Sequence, residues 1–325
     1  MGKITRCLWG MLLLVLAGNC STGEKAPCFI PQFMKEESPK IVLITVDGVR
    51  WQEMFEGADL RLHGGRRSSA REILPNVYRY FVDEGSAFGK DSLVATTGTM
   101  HISLPGYLEM TRGYSTVDCI TNLCEPELKT TLLDFFETAA VFSSWDTIRK
   151  ATTSNPDRFV INSGRNYRST GHQQLGLRDV KDFVCHVGHD DYRPDQYTIA
   201  ASFDYLEKER PQFLWVALGD TDEYAHDGNY KGYLSAIKAF DYFVGELIQS
   251  YDKNTVFIIT TDHGRSADWR KHGIDNDSGR VWLMMHGKGV QPLGFVKLDS
   301  PRSLSDLMPT ILKITHGIKS KRSFI

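Results

Sequence analysis

Three short apolar runs, each closing on acidic residues, constrain this chain more than any other feature. Ile41-Val42-Leu43-Ile44-Thr45-Val46 ends at Asp47-Gly48. Phe213-Leu214-Trp215-Val216-Ala217-Leu218 ends at Gly219-Asp220-Thr221-Asp222, and Thr255-Val256-Phe257-Ile258-Ile259-Thr260-Thr261 ends at Asp262-His263-Gly264. Apolar, β-branched runs without polar alternation read as strands covered on both faces. Helical periodicity separates them: Tyr233, Ala236, Ile237, Phe240, Phe243, Val244, Leu247 and Ile248 mark one face of a long helix. A further helix is expected from about Leu304 or Asp306 to Thr315, capped by Ser303 or Ser305, with Pro309 confined to an early turn or a kink. The expected fold class is α/β, a three-layer α/β/α arrangement around a mostly parallel central sheet. Open sheets of this kind place ligands at the carboxyl ends of their strands.

The chemistry-bearing residues sit at those ends. They are Asp47, the stretch Asp222-Glu-Tyr-Ala-His226, and Asp262-His263 with His272-Gly273 shortly after. Singly, an aspartate there is a helix cap and a histidine is a solvated side chain. Together, mixed carboxylate and imidazole ligands suit Zn²⁺ or Mn²⁺. A fourth element runs from Ser103-Leu104-Pro105-Gly106-Tyr107 to Gly113 and reads as a helix with Ser103 at or near its N-cap. A hydroxyl placed there lies beside free backbone N–H groups and the positive end of the helix dipole, a seat for phosphate. His286 rivals His272, and Asp220 rivals Asp222, although only Asp222 stands four residues before His226.

The ordered set Val46-Asp47-Gly48, Ser103-x-Pro105, Asp222-x-x-x-His226, Thr261-Asp262-His263-Gly264 and His272-Gly273 resembles the alkaline phosphatase superfamily. It is most similar to the branch of nucleotide pyrophosphatase/phosphodiesterases and phosphoglyceromutase-like hydrolases. The resemblance implies an alkaline-phosphatase-like fold and two divalent metal ions, zinc or manganese. It assigns Asp222, His226 and His272 to one metal, and Asp47, Asp262, His263 and the Ser103 oxygen to the other. It further implies that Ser103 attacks phosphorus to give a phosphoserine, making the protein a phosphatase or phosphodiesterase acting on small phosphate esters. Tyr107, Asn162, Tyr224 and the basic loop from Arg61 to Arg71 are candidates for substrate contact.

Two departures bear on that resemblance. The diesterase branch carries asparagine three residues after its nucleophile, where this chain has Gly106. Sulfatases, the alternative within the superfamily, carry arginine where this chain has Tyr107 and a second aspartate where Gly48 follows Asp47. A surface module that keeps the fold without catalysis would be expected to have lost part of the ligand set.

The ends of the chain point to export. Lys3 and Arg6 precede the apolar run Leu8–Ala17, too short to span a bilayer comfortably, and Ala17-Gly18-Asn19-Cys20 resembles a bacterial lipoprotein signal with Cys20 as the lipidated residue. The expected organisation is a signal over 1–20, a polar tether over 21–39 and one metallo-phosphohydrolase domain over 40–319, in the bacterial periplasm or cell envelope. Membrane contact would come only through that lipid. With Cys7 and Cys20 set aside, Cys28, Cys119, Cys124 and Cys185 suit disulfides in an oxidising compartment, and a local Cys119–Cys124 bridge is the most plausible. A net charge of −2 gives no whole-chain reason to expect nucleic-acid binding.

Overall fold

A computed structural model describes residues 38–115, 117–127, 129–164 and 191–325. The leader, nearly all of the tether, Cys20, Cys28 and Cys185 lie outside the described residues. Eleven strands are described: β1 (Lys40–Val46), β2 (Gly85–Phe88), β3 (Val94–Ala95), β4 (Ala139–Ser143), β5 (Val160–Ser163), β6 (Phe213–Leu218), β7 (Thr255–Thr260), β8 (Arg280–Val281), β9 (Leu283–Gly287), β10 (Gly294–Phe295) and β11 (Arg302–Ser303). Eight form one sheet in the order β10-β2-β9-β7-β1-β6-β4-β5, and β11-β3-β8 form a small second sheet. β1 lies between β6 and β7 and is parallel to both, and β4 continues the parallel set against β6 and β5. Within the large sheet only β9 runs antiparallel, against β7 and β2.

The unbroken apolar runs are explained by burial on both faces. Val42, Ile44 and Val46 of β1 point into one core with Leu214, Val216, Phe257 and Ile259. Ile41 and Leu43 point into the other with Phe213, Trp215, Val256 and Ile258. The long helix Tyr230–Gln249 covers the first face through Tyr233, Ile237, Phe240, Val244 and Leu247. Helices Ser103–Arg112 and Leu307–His316 cover the second through Leu104, Leu108, Leu307, Ile311 and Leu312. This is the expected three-layer α/β/α arrangement. Pro309 falls in the first turn of its helix, entered through a capping box between Ser303 and Asp306. The chain beyond residue 319 packs back on this helix, where the Phe324 N–H donates to Thr310 Oγ1 at 3.0 Å.

Packing also explains the residue that departs from the diesterase pattern. The Ser103–Arg112 helix crosses the backbone of Asp262 so closely that a Cβ on Gly106 would stand 2.2 Å from the Asp262 carbonyl oxygen. Glycine is the residue that lets this helix reach the end of β7. In a helix interior, glycine to alanine normally stabilises by about 1 kcal/mol. Here Gly106→Ala is expected to destabilise by about 1–3 kcal/mol through overpacking. Calorimetry should show a fall in Tm of a few degrees, and an unchanged or raised Tm would contradict the close approach.

Candidate active site

Parallel register brings the three acidic strand ends together, because β7, β1 and β6 are consecutive in the sheet. Asp47 follows β1, Asp262 and His263 follow β7, and Asp222 and His226 lie on the short helix Asp220–His226 after β6. Ser103 joins them from the first position of its helix. Ile102 is the N-cap, and Ser103 makes no cap hydrogen bond. Its Oγ turns into the site, 3.5 Å from Asp47 Oδ1 and 3.4 Å from His263 Nε2.

Two groups of ligand-type atoms result. Asp222, His226 and His272 each offer an atom within 4.8 Å of the others, and so do Asp47, Asp222 and His263. His226 Nε2 lies 3.1 Å from Asp222 Oδ2 and 3.1 Å from His272 Nε2. His272 Nδ1 faces the His101 carbonyl at 3.2 Å, and His263 Nδ1 faces the Gly264 carbonyl at 2.8 Å. Backbone carbonyls at both Nδ1 atoms put the protons there and leave the Nε2 lone pairs for a metal. Asp262 accepts from the Gly48 N–H at 3.1 Å through Oδ1, while its buried Oδ2 has no hydrogen-bond partner. An orphaned carboxylate oxygen 3.5 Å from His263 Nε2 fits a cation position. The donor set therefore fits divalent metal.

Electrostatics agree. Burial, then Asp47, pushes Asp262 well above the usual carboxylate range. Burial alone would lower His263, but Asp262 and Asp47 lift it to about 9. Burial and His263 hold His272 down near about 3, ready as a neutral ligand. Burial opposes ionisation of Asp222, yet Arg265 and His272 hold it well below the usual range. Excess carboxylate in a dry site is what a bound cation relieves.

Several expected residues lie elsewhere. Tyr107 is buried and donates to Asp47 Oδ2 at 3.0 Å, so it braces that carboxylate. Asn162 is buried and accepts from Arg193 at 2.5 Å, away from the cavity. The Tyr224 ring packs over Gly232. His286 lies within β9 with Nδ1 on the Glu84 carbonyl, and Asp220 accepts from Tyr192 and the Asp195 N–H; neither joins the ligand groups. In the basic loop, Arg71 pairs with Asp83 while Arg61 is 92% exposed. Cys119 and Cys124 are joined by a disulfide with their Cα atoms 5.5 Å apart.

The sequence reading missed Arg265, which is fully buried and pairs with Asp222. It also missed part of the wall of the cavity, about 420 Å³, where Asn122, Leu123, Trp145 and Tyr192 stand beside Ser103 and Glu223. Arg265 follows directly on Asp262-His263-Gly264, so its place in the chain was the available signal; the wall residues come from loops that carry no motif.

Residues 186–319 match the profile of a family described as the Metalloenzyme superfamily. That stretch holds Asp222, His226, Asp262, His263 and His272, but neither Asp47 nor Ser103. The solved alkaline phosphatase from the Antarctic bacterium TAB5 superposes over 88% of this chain and 99% of its own, with a TM-score of 0.55 at 13% identity. The fold is that of the alkaline phosphatase superfamily. A structure solved with its substrate D-glucosamine-2-N,6-O-disulfate covers 87% of this chain and 77% of its own, with a TM-score of 0.59 at 12% identity. Phosphopentomutase of Carboxydothermus hydrogenoformans is 25% identical over 148 residues, 44% of this chain and 37% of that protein. The chain thus matches well under half the length of that relative. The family profile and the likeness of fold agree with the resemblance read from the ordered motifs, and the proteins this chain is similar to include phosphopentomutases, a 2-O sulfatase and alkaline phosphatases.

Glu223 gives a test of the site's electrostatics. Burial, then Asp222 and Asp47, raises it from 4.5 to about 8. Between those values the native state keeps a proton that the unfolded chain has released, so stability falls as pH rises through that window. In protein stripped of metal with chelator, urea midpoints at pH 5 and pH 8 should differ less for Glu223→Gln than for the parent. Equal differences would refute the burial account.

Proposed function

We propose that this chain is an exported, metal-dependent phosphohydrolase that cleaves phosphate mono- or diesters through a phosphoserine on Ser103. The observation that carries the reading is the Ser103 hydroxyl, free of capping, turned toward Asp47 and His263 on the floor of the cavity. Asp222, His226 and His272 would hold one metal ion, and Asp47, Asp262, His263 and the Ser103 oxygen the other. Bound divalent ions would supply the positive charge that stabilises the attacking and leaving oxygens of an in-line displacement.

The chain's own residues do the rest. Ser103 Oγ attacks phosphorus, a P–O bond to the alcohol breaks, and water later cleaves the phosphoserine to regenerate the hydroxyl. Tyr107, donating to Asp47 Oδ2, holds that carboxylate with Oδ1 toward the nucleophile. Asn122 accepts the Leu104 N–H at 3.0 Å through Oδ1, which leaves its amide NH₂ as a donor beside Ser103. It is the residue placed to contact a phosphate oxygen in the absence of an asparagine at position 106.

Tyr107 also argues against the sulfatase alternative, since it stands where that pattern carries an arginine and its hydroxyl is bonded to Asp47. The phosphopentomutase relatives keep phosphoryl transfer to a second alcohol in view, and product analysis separates it from hydrolysis. Export, with Cys20 as lipid anchor in the periplasm or envelope, rests on the leader residues and fits a Cys119–Cys124 disulfide. Zinc and manganese are the metals suited to the donor set.

Ser103→Ala is expected to lower kcat at least a thousandfold on aryl phosphates while metal content, read by atomic absorption, stays near that of the parent. Undiminished turnover would exclude Ser103 as nucleophile.

A further inference from the structure

One wall of the cavity is built unlike the rest. The chain leaves the Ser103–Arg112 helix at Gly113 and returns over the same helix's start, where Asn122 accepts the Leu104 N–H. The disulfide ties Cys119 to Cys124 across this return, and Cys119 is buried in the core on that side of the sheet. The loop is therefore fixed at three points. Between them stands Leu123, an apolar side chain 88% exposed that lines the same cavity as Ser103. Val117 and Ile120 of the same stretch are exposed as well. Trp145, half-buried, lines the cavity too, and its ring lies 6.4 Å from that of Tyr107.

A lone exposed leucine needs no explanation. A leucine held by a disulfide loop against the nucleophile's helix, in the wall of a cavity with Trp145, presents a fixed apolar surface to whatever the phosphate carries. We infer that Leu123 is a specificity-determining residue, and that the organic half of the phosphate ester is apolar, an alkyl or aryl alcohol. This rests on the phosphohydrolase reading for the placement of phosphate at Ser103, and it names the substrate class of that site. A preformed apolar wall gives selectivity by burying surface that a polar alcohol cannot bury without loss.

Binding of hexylphosphonate and of methylphosphonate to the zinc-loaded protein, measured by calorimetry, tests this directly. The longer chain is expected to bind at least tenfold more tightly, the order expected for burying one leucine-sized apolar contact. Leu123→Asn should reduce that ratio to about threefold or less, while Leu293→Asn, at an exposed leucine outside the cavity, should keep it. An equal ratio in Leu123→Asn and the parent, or a parent that does not distinguish the two ligands, overturns the inference. Turnover of hexyl phosphate reads the other question separately. If the chain binds the pair with the expected ratio and cleaves no phosphate ester, the hydrolase reading falls and the apolar wall stands.

Discussion

Three carboxylates, Asp47, Asp222 and Asp262, are driven into one small volume by the pairing of three parallel strands, and the surrounding structure answers to that crowding. β1 cannot pair with β6 and β7 in register without bringing their acidic ends side by side. The energy that enforces the pairing comes from elsewhere: both faces of these strands are buried in the two cores. Apolar burial over the length of the sheet thus holds together charges that repel one another at its edge. Arg265 offsets part of the charge through Asp222, and His263 is drawn toward its protonated form by the rest. Asp262 Oδ2 stays buried without a hydrogen bond, its nearest charge the His263 Nε2 at 3.5 Å. A divalent cation answers this excess better than one more arginine would, since it can accept several of these oxygens at once.

The same crowding explains how much of the nearby structure serves to orient rather than react. The Asp47 carbonyl accepts from Thr221 at 2.5 Å, tying the end of β1 to the helix that carries Asp222. Asp195 accepts the Gly219 and Asp220 N–H groups at 2.7 and 3.1 Å, fixing the start of that same helix, while Ser144 at the end of β4 donates to it. Three adjacent strand ends, those of β1, β6 and β4, are thereby laced to one another through side chains. Gly48, in a left-handed conformation at φ +60°, leaves the space that Arg265 and Asp222 occupy, since a Cβ there would meet both. A second aspartate at this position, as in sulfatases, would have no room beside Arg265.

What the sequence disclosed and what it withheld divide along one physical line. Strand ends and the nucleophile's helix were legible because periodicity, turn residues and ligand chemistry coincide at Asp47, Asp222, Asp262 and Ser103. Order and spacing in the sequence favoured His272 over His286, and the structure gives the physical reason: β9 runs antiparallel and pairs His286 with Phe257, mid-strand on β7, away from the carboxyl ends. The neighbours of Asn162 and Tyr224 were not legible. A polar or aromatic residue in a loop-rich stretch looks available, and only the folded structure shows Arg193 already bonded to Asn162 and Gly232 beneath Tyr224. Ser103 was expected at or near the cap, and the backbone shows why it is free: Ile102 takes the cap position, so the hydroxyl owes nothing to its own helix.

Gly106 and the disulfide loop are two consequences of one close approach. Because the Ser103–Arg112 helix must cross the Asp262 carbonyl, its inner face cannot carry a polar side chain at position 106. A polar side chain beside Ser103 then has to come from outside that helix, and the Cys119–Cys124 loop, folded back over the helix start, brings Asn122 there. Asn122 then satisfies a helix N–H that would otherwise lack a partner, and its amide remains at the cavity. A flexible loop could not hold an asparagine there against the entropy of its many alternatives, whereas one closed by a disulfide has few to lose. Whatever side chain follows Asn122 is then fixed at the cavity too. That side chain is Leu123, so the fold that brings Asn122 back over the helix start also sets an apolar side chain in the cavity wall.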